Sequence, residues 1–307
     1  MKSKIMQDTK KNIKKGLSEL SLIEKKVIII IATCNQERLL VDCLKSLKKT
    51  KYNNYKIFLV DDSGKEIGKN IKKEFNVDLI TTNGYTGQSK VWNLAIKKAL
   101  KEDFDYVFLL DDDTKILDEN WLVKLIKVGE SDEKIGILGC KVIHPNGRIQ
   151  WMKKDTGKVP LIKEVDNVIG CCFLMKKKVI DEIGFFDEKF SPAYGEESDF
   201  CFRALKKGFR CIYVGTTKIM HYGGTTTKKI FNEKVWFFKK RHAIRMEWLN
   251  FSFLKIMKYS FIHLGSAILS NKPIKKLKFL RKAYLENIKD FKEIKMKRKE
   301  RNGWLKK

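Results

Sequence analysis

Three consecutive acids, Asp111-Asp112-Asp113, follow directly on the apolar run Tyr106-Val-Phe-Leu-Leu110. An apolar strand that ends on carboxylates delivers them to the edge of a sheet. Side chains alternate along an extended segment, so Asp111 and Asp113 share one side. Paired carboxylates suit a hard divalent cation, which takes oxygen ligands and neutralises phosphate charge. An acidic triplet standing alone is more often a solvated loop. The apolar run before this one raises it above that reading.

A second acidic pair, Asp61-Asp62, also ends an apolar run, Tyr55-Lys-Ile-Phe-Leu-Val60. Carboxylates there can accept hydrogen bonds from a nucleobase N–H or ribose hydroxyls. The plainer reading is a polar turn closed by Ser63-Gly64. Further on, Glu196-Glu197-Ser198-Asp199 offers a general base, with Glu197 facing a cleft while Ser198 and Asp199 cap the following helix. Last, His221-Tyr-Gly-Gly224 joins an imidazole that can complete a metal shell to glycines that permit close ligand approach. A lone histidine is more often structural, so His221 draws its weight from the other features.

The elements that must position these residues follow from the hydrophobic period. Val27-Ile-Ile-Ile-Ile31 is a β-branched run of the kind buried on both faces of a parallel sheet. Leu40, Cys43, Leu44 and Leu47 recur at helical spacing, as do Val91, Leu94, Ala95 and Ala99. Further strands are expected at 77–80, 135–143, 167–176 and 211–220, and a short helix at 200–207 stopped by Gly208. Strands alternating with helices predict a doubly wound α/β fold, with ligands at the carboxyl ends of the strands. From about residue 230 aromatics and lysines alternate with aliphatics. The expected organisation is a basic extension at 1–26, a catalytic domain at 27–227 and a basic, aromatic-rich helical region at 228–307.

The 307-residue chain carries a formal net charge of +28. Residues 228–307 hold roughly 24 basic and 6 acidic side chains and residues 1–26 about 8 and 3, so the stretch between is nearly balanced. Such an excess points to an anionic partner. No zinc finger, KH loop or RNA-recognition signature accompanies it, and acids at strand ends repel phosphate unless a metal intervenes. Nucleic acid is therefore not an expected partner. No G-x-G-x-x-G follows the first strand, which sets aside a dinucleotide-dependent dehydrogenase. The seven cysteines show no C-x-x-C spacing and sit mostly in apolar stretches, as buried free thiols in a reducing compartment do. The N-terminus lacks an apolar h-region, and no stretch reaches the ~20 apolar residues of a spanning helix. The expected location is the cytoplasm, at the inner face of the cell membrane.

Taken in order, a set of segments resembles the inverting glycosyltransferases of family 2. They are Ile31-Ala-Thr-Cys-Asn35, Val60-Asp-Asp-Ser63, Asn83 through Asn93, Leu110-Asp-Asp-Asp113, Ile169-Gly-Cys-Cys-Phe-Leu174, Gly184-Phe-Phe-Asp187, Glu196-Glu-Ser-Asp199 and His221-Tyr-Gly-Gly224. The resemblance covers roughly residues 26–227. It implies the GT-A fold, a Rossmann-like mixed sheet with helices on both faces, here with a C-terminal helical extension. It also implies transfer of a hexosyl or deoxyhexosyl group, with inversion, from a nucleotide-diphosphate donor to an acceptor hydroxyl in cell-surface polysaccharide or glycan synthesis. Residue by residue, it implies that Thr33, Asp61 and Asp62 line the nucleoside pocket and that Asn83, Gly84 and Asp111 stand beside the donor. Asp111, Asp113 and His221 would hold Mn2+ or Mg2+, and Glu197 would be the base.

Two departures stand out. Cys34 replaces a frequent Tyr, removing a surface for base stacking, and Glu197 replaces a usual Asp. The Gln-x-x-Arg-Trp motif of processive synthases is absent, so single-sugar transfer is expected. The tail looks like that of rhamnosyltransferase-like members. Its aromatics and lysines suit an interfacial helix on an anionic membrane carrying lipid-linked acceptors, or equally helices packed on the catalytic domain. The alternatives are a non-catalytic protein of the same fold or a nucleic-acid- or anionic-surface-binding protein.

Overall fold

The computed structural model describes residues 25–65, 67–152 and 161–304, so nearly all of the expected N-terminal extension lies outside it. The strands are β1 (Val27–Thr33), β2 (Tyr55–Asp61), β3 (Asp78–Thr81), β4 (Tyr106–Asp111), β5 (Thr114–Ile116), β6 (Ile135–Ile143), β7 (Ile162–Val165), β8 (Cys172–Lys176) and β9 (Arg210–His221). The helices of the first part are α1 (Glu37–Leu47), α2 (Ile67–Glu74), α3 (Gln88–Ala99), α4 (Trp121–Glu130), α5 (Lys177–Ile183) and α6 (Glu196–Lys206). Five more follow: α7 (Thr225–Phe231), α8 (Lys234–Asn250), α9 (Phe253–Ile268), α10 (Pro273–Lys289) and α11 (Phe291–Gly303).

The nine strands form one mixed sheet in the order β3-β2-β1-β4-β8-β6-β9-β5, with β7 paired to β9. The β-branched run of β1 is apolar throughout because both of its faces are covered. Val27, Ile29 and Ile31 pack with α1 and α4, while Ile28 and Ile30 pack with α3, α5 and α6. β1, β2, β3 and β4 are mutually parallel, and β8 runs antiparallel to β4. Strand order reverses between β1 and β4, the place where open α/β sheets bind ligands.

The structure shifts several expected boundaries. The strand expected at 167–176 begins only at Cys172, the residues before it forming a loop. The helix expected at 200–207 starts earlier, at Glu196. β5 and β7 are short strands that the period did not predict.

The C-terminal helices have a small core of their own around Phe237, Ile244, Ala267, Leu280 and Ala283. Buried ion pairs fasten them to the sheet domain. Arg245 on α8 places Nη2 2.8 Å from Asp187 Oδ2, and Arg301 on α11 places Nη1 2.6 Å from Asp199 Oδ1.

Candidate active site

The carboxyl ends of β1 and β4 lie side by side, with Ala32 opposite Asp111. They form one wall of a cleft of about 320 Å³, within the range of small-ligand sites. Thr33, Asp62, Asp111, Asp113, Glu197 and His221 all line it.

The three consecutive acids diverge. Asp112 turns toward β1, where Thr33 Oγ1 donates to its Oδ2 at 2.7 Å. Burial raises its pKa well above the carboxylate range, with the Thr33 bond opposing. Asp111 and Asp113 face His221, whose Nε2 is 3.4 Å from Asp111 Oδ2 and 3.0 Å from Asp113 Oδ1. Strand pairing produces this meeting: β5 opens at Thr114, which pairs with His221 at the end of β9. The Gly223 amide also donates to Asp113 Oδ2 at 3.1 Å.

Gln150 orients the imidazole. Its Oε1 lies 2.9 Å from His221 Nδ1, and its amide nitrogen donates to the His221 carbonyl. That leaves Nε2 on the side of the acids, as outer-shell partners of metal-binding histidines do. Burial works against a charged His221, but Cys171, Asp111 and Asp113 outweigh it and raise its pKa.

Asp111, Cys171 and His221 each offer one donor atom, all within 4.8 Å of one another. Burial pushes the pKa of the Cys171 thiol up to about 12, with His221 opposing. The carboxylates of Asp111 and Asp113 suit Mg2+, and with the imidazole of His221 they suit Mn2+ as well. The residues therefore fit the cation that the sequence implies.

The loop after β3 closes the next wall. Asp62 accepts from Thr82 Oγ1 at 2.7 Å, from the Thr86 amide at 2.9 Å and from Thr86 Oγ1 at 2.9 Å. Asp61 behaves differently. Its Oδ1 accepts from Ser63 Oγ at 2.5 Å and its Oδ2 from the Gly68 amide at 2.8 Å, which fixes the turn after β2. Asp61, Asn83 and Gly84 are not among the residues that line the cleft, whereas Tyr85 and Gln88 are. Gln88 Nε2 stands 3.5 Å from Asp111 Oδ1. Gly87 has φ +100°, and a Cβ there would lie 2.9 Å from the Pro192 Cα. Glycine thus lets this loop seat directly on the segment before α6, where the Gln88 amide donates to the Pro192 carbonyl at 2.9 Å.

α6 begins at Glu196 behind Gly195, and no side chain caps it. Ser198 and Asp199 do not take the capping role expected of them. Ser198 Oγ accepts from Asn167 Nδ2 at 3.3 Å, and Asp199 turns into the interior. Glu196 and Glu197 both line the cleft. Glu196 is buried, and its Oε2 has no hydrogen-bond partner among the described residues. Burial, then the charge of Glu197, raises its pKa well above the ordinary value. Glu197 is half-buried, and its pKa is raised by burial, with backbone amides opposing and Asp111 adding. A raised carboxyl pKa makes a stronger proton acceptor.

Sequence reasoning missed Cys171, Gln88, Gln150 and the Tyr194 OH–Thr227 Oγ1 contact of 2.9 Å at the cleft wall. Cys171 and Gln88 lie within segments that carry the resemblance but had no role assigned to them, while Gln150 and Thr227 belong to none of those segments.

Residues 28–184 match the family model described as glycosyl transferase family 2. An uncharacterized glycosyltransferase of Acanthamoeba polyphaga mimivirus is 33% identical over 175 residues, which is 54% of this chain and 64% of that protein. The chain covers less than two thirds of the length of the curated relatives it matches. Among solved structures, GalNAc-T7 with UDP, GalNAc and Mn2+ superposes with a TM-score of 0.60 at 14% identity, over 86% of this chain and 55% of that one. The mannosyltransferase PcManGT from Pyrobaculum calidifontis, in complex with GDP-Man and Mn2+, gives 0.56 at 12% identity, over 95% and 90%. At such identities these structures speak for the fold alone. The family match takes in β1 through α5 and all three consecutive acids, and it spans half the chain; the protein belongs to glycosyl transferase family 2 and has the GT-A fold.

Proposed function

We propose that this chain transfers a single sugar from a nucleotide-diphosphate donor to an acceptor hydroxyl, with inversion and with the help of Mn2+ or Mg2+. The observation that carries the reading is the convergence of Asp111, Asp113 and His221 on one part of a cleft that Glu197 enters from another. Asp111, Asp113 and His221 would hold the cation, which when bound supplies positive charge to the departing diphosphate. Thr33 and Asp62 contribute the nucleoside side of the cleft, with Asp61 acting through the turn it fixes. Asn83 and Gly84 act through the loop that Asp62 ties down. Glu197 takes the proton of the acceptor hydroxyl as its oxygen attacks the anomeric carbon. The N-terminal end of α6 faces the cleft and favours negative charge in its first turn, which keeps two glutamates there tolerable. The acceptor is a glycan or a lipid-linked sugar, in keeping with cell-surface polysaccharide or glycan synthesis.

Thermal stabilisation by a panel of nucleotide sugars, with and without Mn2+, tests the reading. Stabilisation by one donor, lost with chelator and in Asp113→Ala, is expected. No stabilisation by any nucleotide sugar would overturn the donor assignment. Inversion is read from the anomeric configuration of the product by NMR, and a product that retains the donor's configuration would remove it.

A further inference from the structure

Helix α9 turns its apolar face to the outside. Its inward face is fixed by polar contacts. His263 is buried with Nε2 2.9 Å from Glu247 Oε1 of α8, and Lys240 Nζ lies 3.1 Å from His263 Nδ1. Ala267, one turn on, belongs to the small core with Phe237 and Ile244 of α8. With that face held, the helical period directs Phe253, Met257, Phe261, Leu264 and Ile268 outward as one stripe. Phe253 is 70% exposed, Phe261 68%, and the flanking Leu254 and Leu269 80% and 89%. Ile274, at the start of α10, is 73% exposed. Soluble monomers seldom leave so much contiguous apolar surface to water.

Charge says what covers it. α9 contains no acidic residue, and the lone acid of α10, Glu286, pairs with Arg241 at 2.9 Å. Lys255, Lys258, Lys278 and Arg281 stand exposed among the apolar residues. A second copy of the chain would bring these cations together. An anionic bilayer answers both the stripe and the charge. A helix of α9's length extends only ~24 Å, and no described helix is long and apolar enough to cross a membrane, so α9 lies in the plane of the surface.

We propose that α9 and the start of α10 dock this protein on an anionic lipid surface. Phe253, Leu254, Phe261 and Leu269 enter the acyl boundary, and Lys255, Lys258, Lys278 and Arg281 meet lipid phosphates. The assignment is independent of the transferase reading, since docking needs neither donor nor cation.

The test is flotation of the full chain with phosphatidylcholine vesicles, with and without phosphatidylglycerol. Co-flotation with the anionic vesicles alone is expected, weakened by salt. The double variant Leu254→Glu/Phe261→Glu should lower partitioning roughly tenfold or more with an unchanged melting temperature. Leu117→Glu, at an exposed leucine of the sheet domain, should leave it unchanged. Lys255→Glu/Lys258→Glu should weaken binding to anionic vesicles. A chain that ignores both vesicles, or that floats equally well as the Leu254→Glu/Phe261→Glu variant, overturns the proposal. So does a solution dimer that the same variant dissociates, because the stripe would then belong to a second copy.

Discussion

Arg301 and Asp199 form a buried ion pair, Nη1 to Oδ1 at 2.6 Å, that joins the last helix of the described chain to the helix carrying Glu197. Arg203 Nε at 3.2 Å and Asn250 Nδ2 at 2.9 Å complete the surroundings of the same carboxylate. Despite its burial, Arg301 and Arg203 hold the Asp199 pKa down, to about 2. Removing one partner of a buried pair strands the other, so Arg301→Met should cost about 3 kcal/mol in urea unfolding. A loss below about 0.5 kcal/mol would make the pair a bystander.

The same carboxylate makes stability depend on pH at the acid end. Its folded pKa is depressed relative to an unfolded aspartate near ~3.9, so its contribution is complete above that value. It falls away as pH drops through about 2, the folded value. Thermal melts between those pH values should show a steeper fall in wild type than in Asp199→Asn.

The two glutamates at the start of α6 should respond differently to amide substitution. Glu197→Gln should retain donor binding by calorimetry and lose roughly 10²–10⁴-fold in transfer. Because a base works deprotonated and the Glu197 pKa is raised, the acid limb of the rate should lie above the usual glutamate range. Glu196 is buried with its Oε2 unpartnered among the described residues, and burial raises its pKa well above the ordinary value, so an amide there removes an uncompensated acid. Glu196→Gln should leave the melting temperature unchanged or higher and cost far less transfer. Equal losses in the two variants would mean that the base is not Glu197 alone.

Asp62 gathers three donors from the loop after β3 at 2.9 Å or less. Asp62→Ala leaves those groups without their acceptor, and about 2 kcal/mol should be lost from donor binding, read by calorimetry. Asp61→Asn, which keeps one of the two acceptor oxygens of the turn, should weaken donor binding less, since Asp61 does not line the cleft.

The proposed cation site includes a thiol, Cys171. A thiol within 4.8 Å of Asp111 and His221 favours softer cations over Mg2+. Donor-dependent stabilisation should be larger with Mn2+ than with Mg2+, and Cys171→Ser should narrow the difference. A preference unchanged in Cys171→Ser would place the thiol outside the cation's reach.

How much of this was legible beforehand follows from range. The buried run of β1, the apolar lead-in of β4 and the helical spacing of α1 and α3 are local patterns, and each became the element it suggested. β5 and β7 have only three and four residues, too short for a period to show. Asp61 and Asp62 are adjacent and chemically identical; only the loops around them decide that one fixes a turn and the other faces the cleft. Asp199 looked like a cap because acids favour helix N-termini, but Arg301, one of its partners, stands 102 residues away. No pattern in sequence announces such a pairing.

The pairing of β5 with β9 also sets an order of events in the making of the protein. Asp111 and Asp113 leave the ribosome early, while Gly223, which donates to Asp113, follows 110 residues later, just behind His221. A nascent chain that stops short of β9 presents its acids with no imidazole opposite. On the proposed reading, cation affinity would be acquired late in synthesis, and a refolding chain should regain it only as the far edge of the sheet closes.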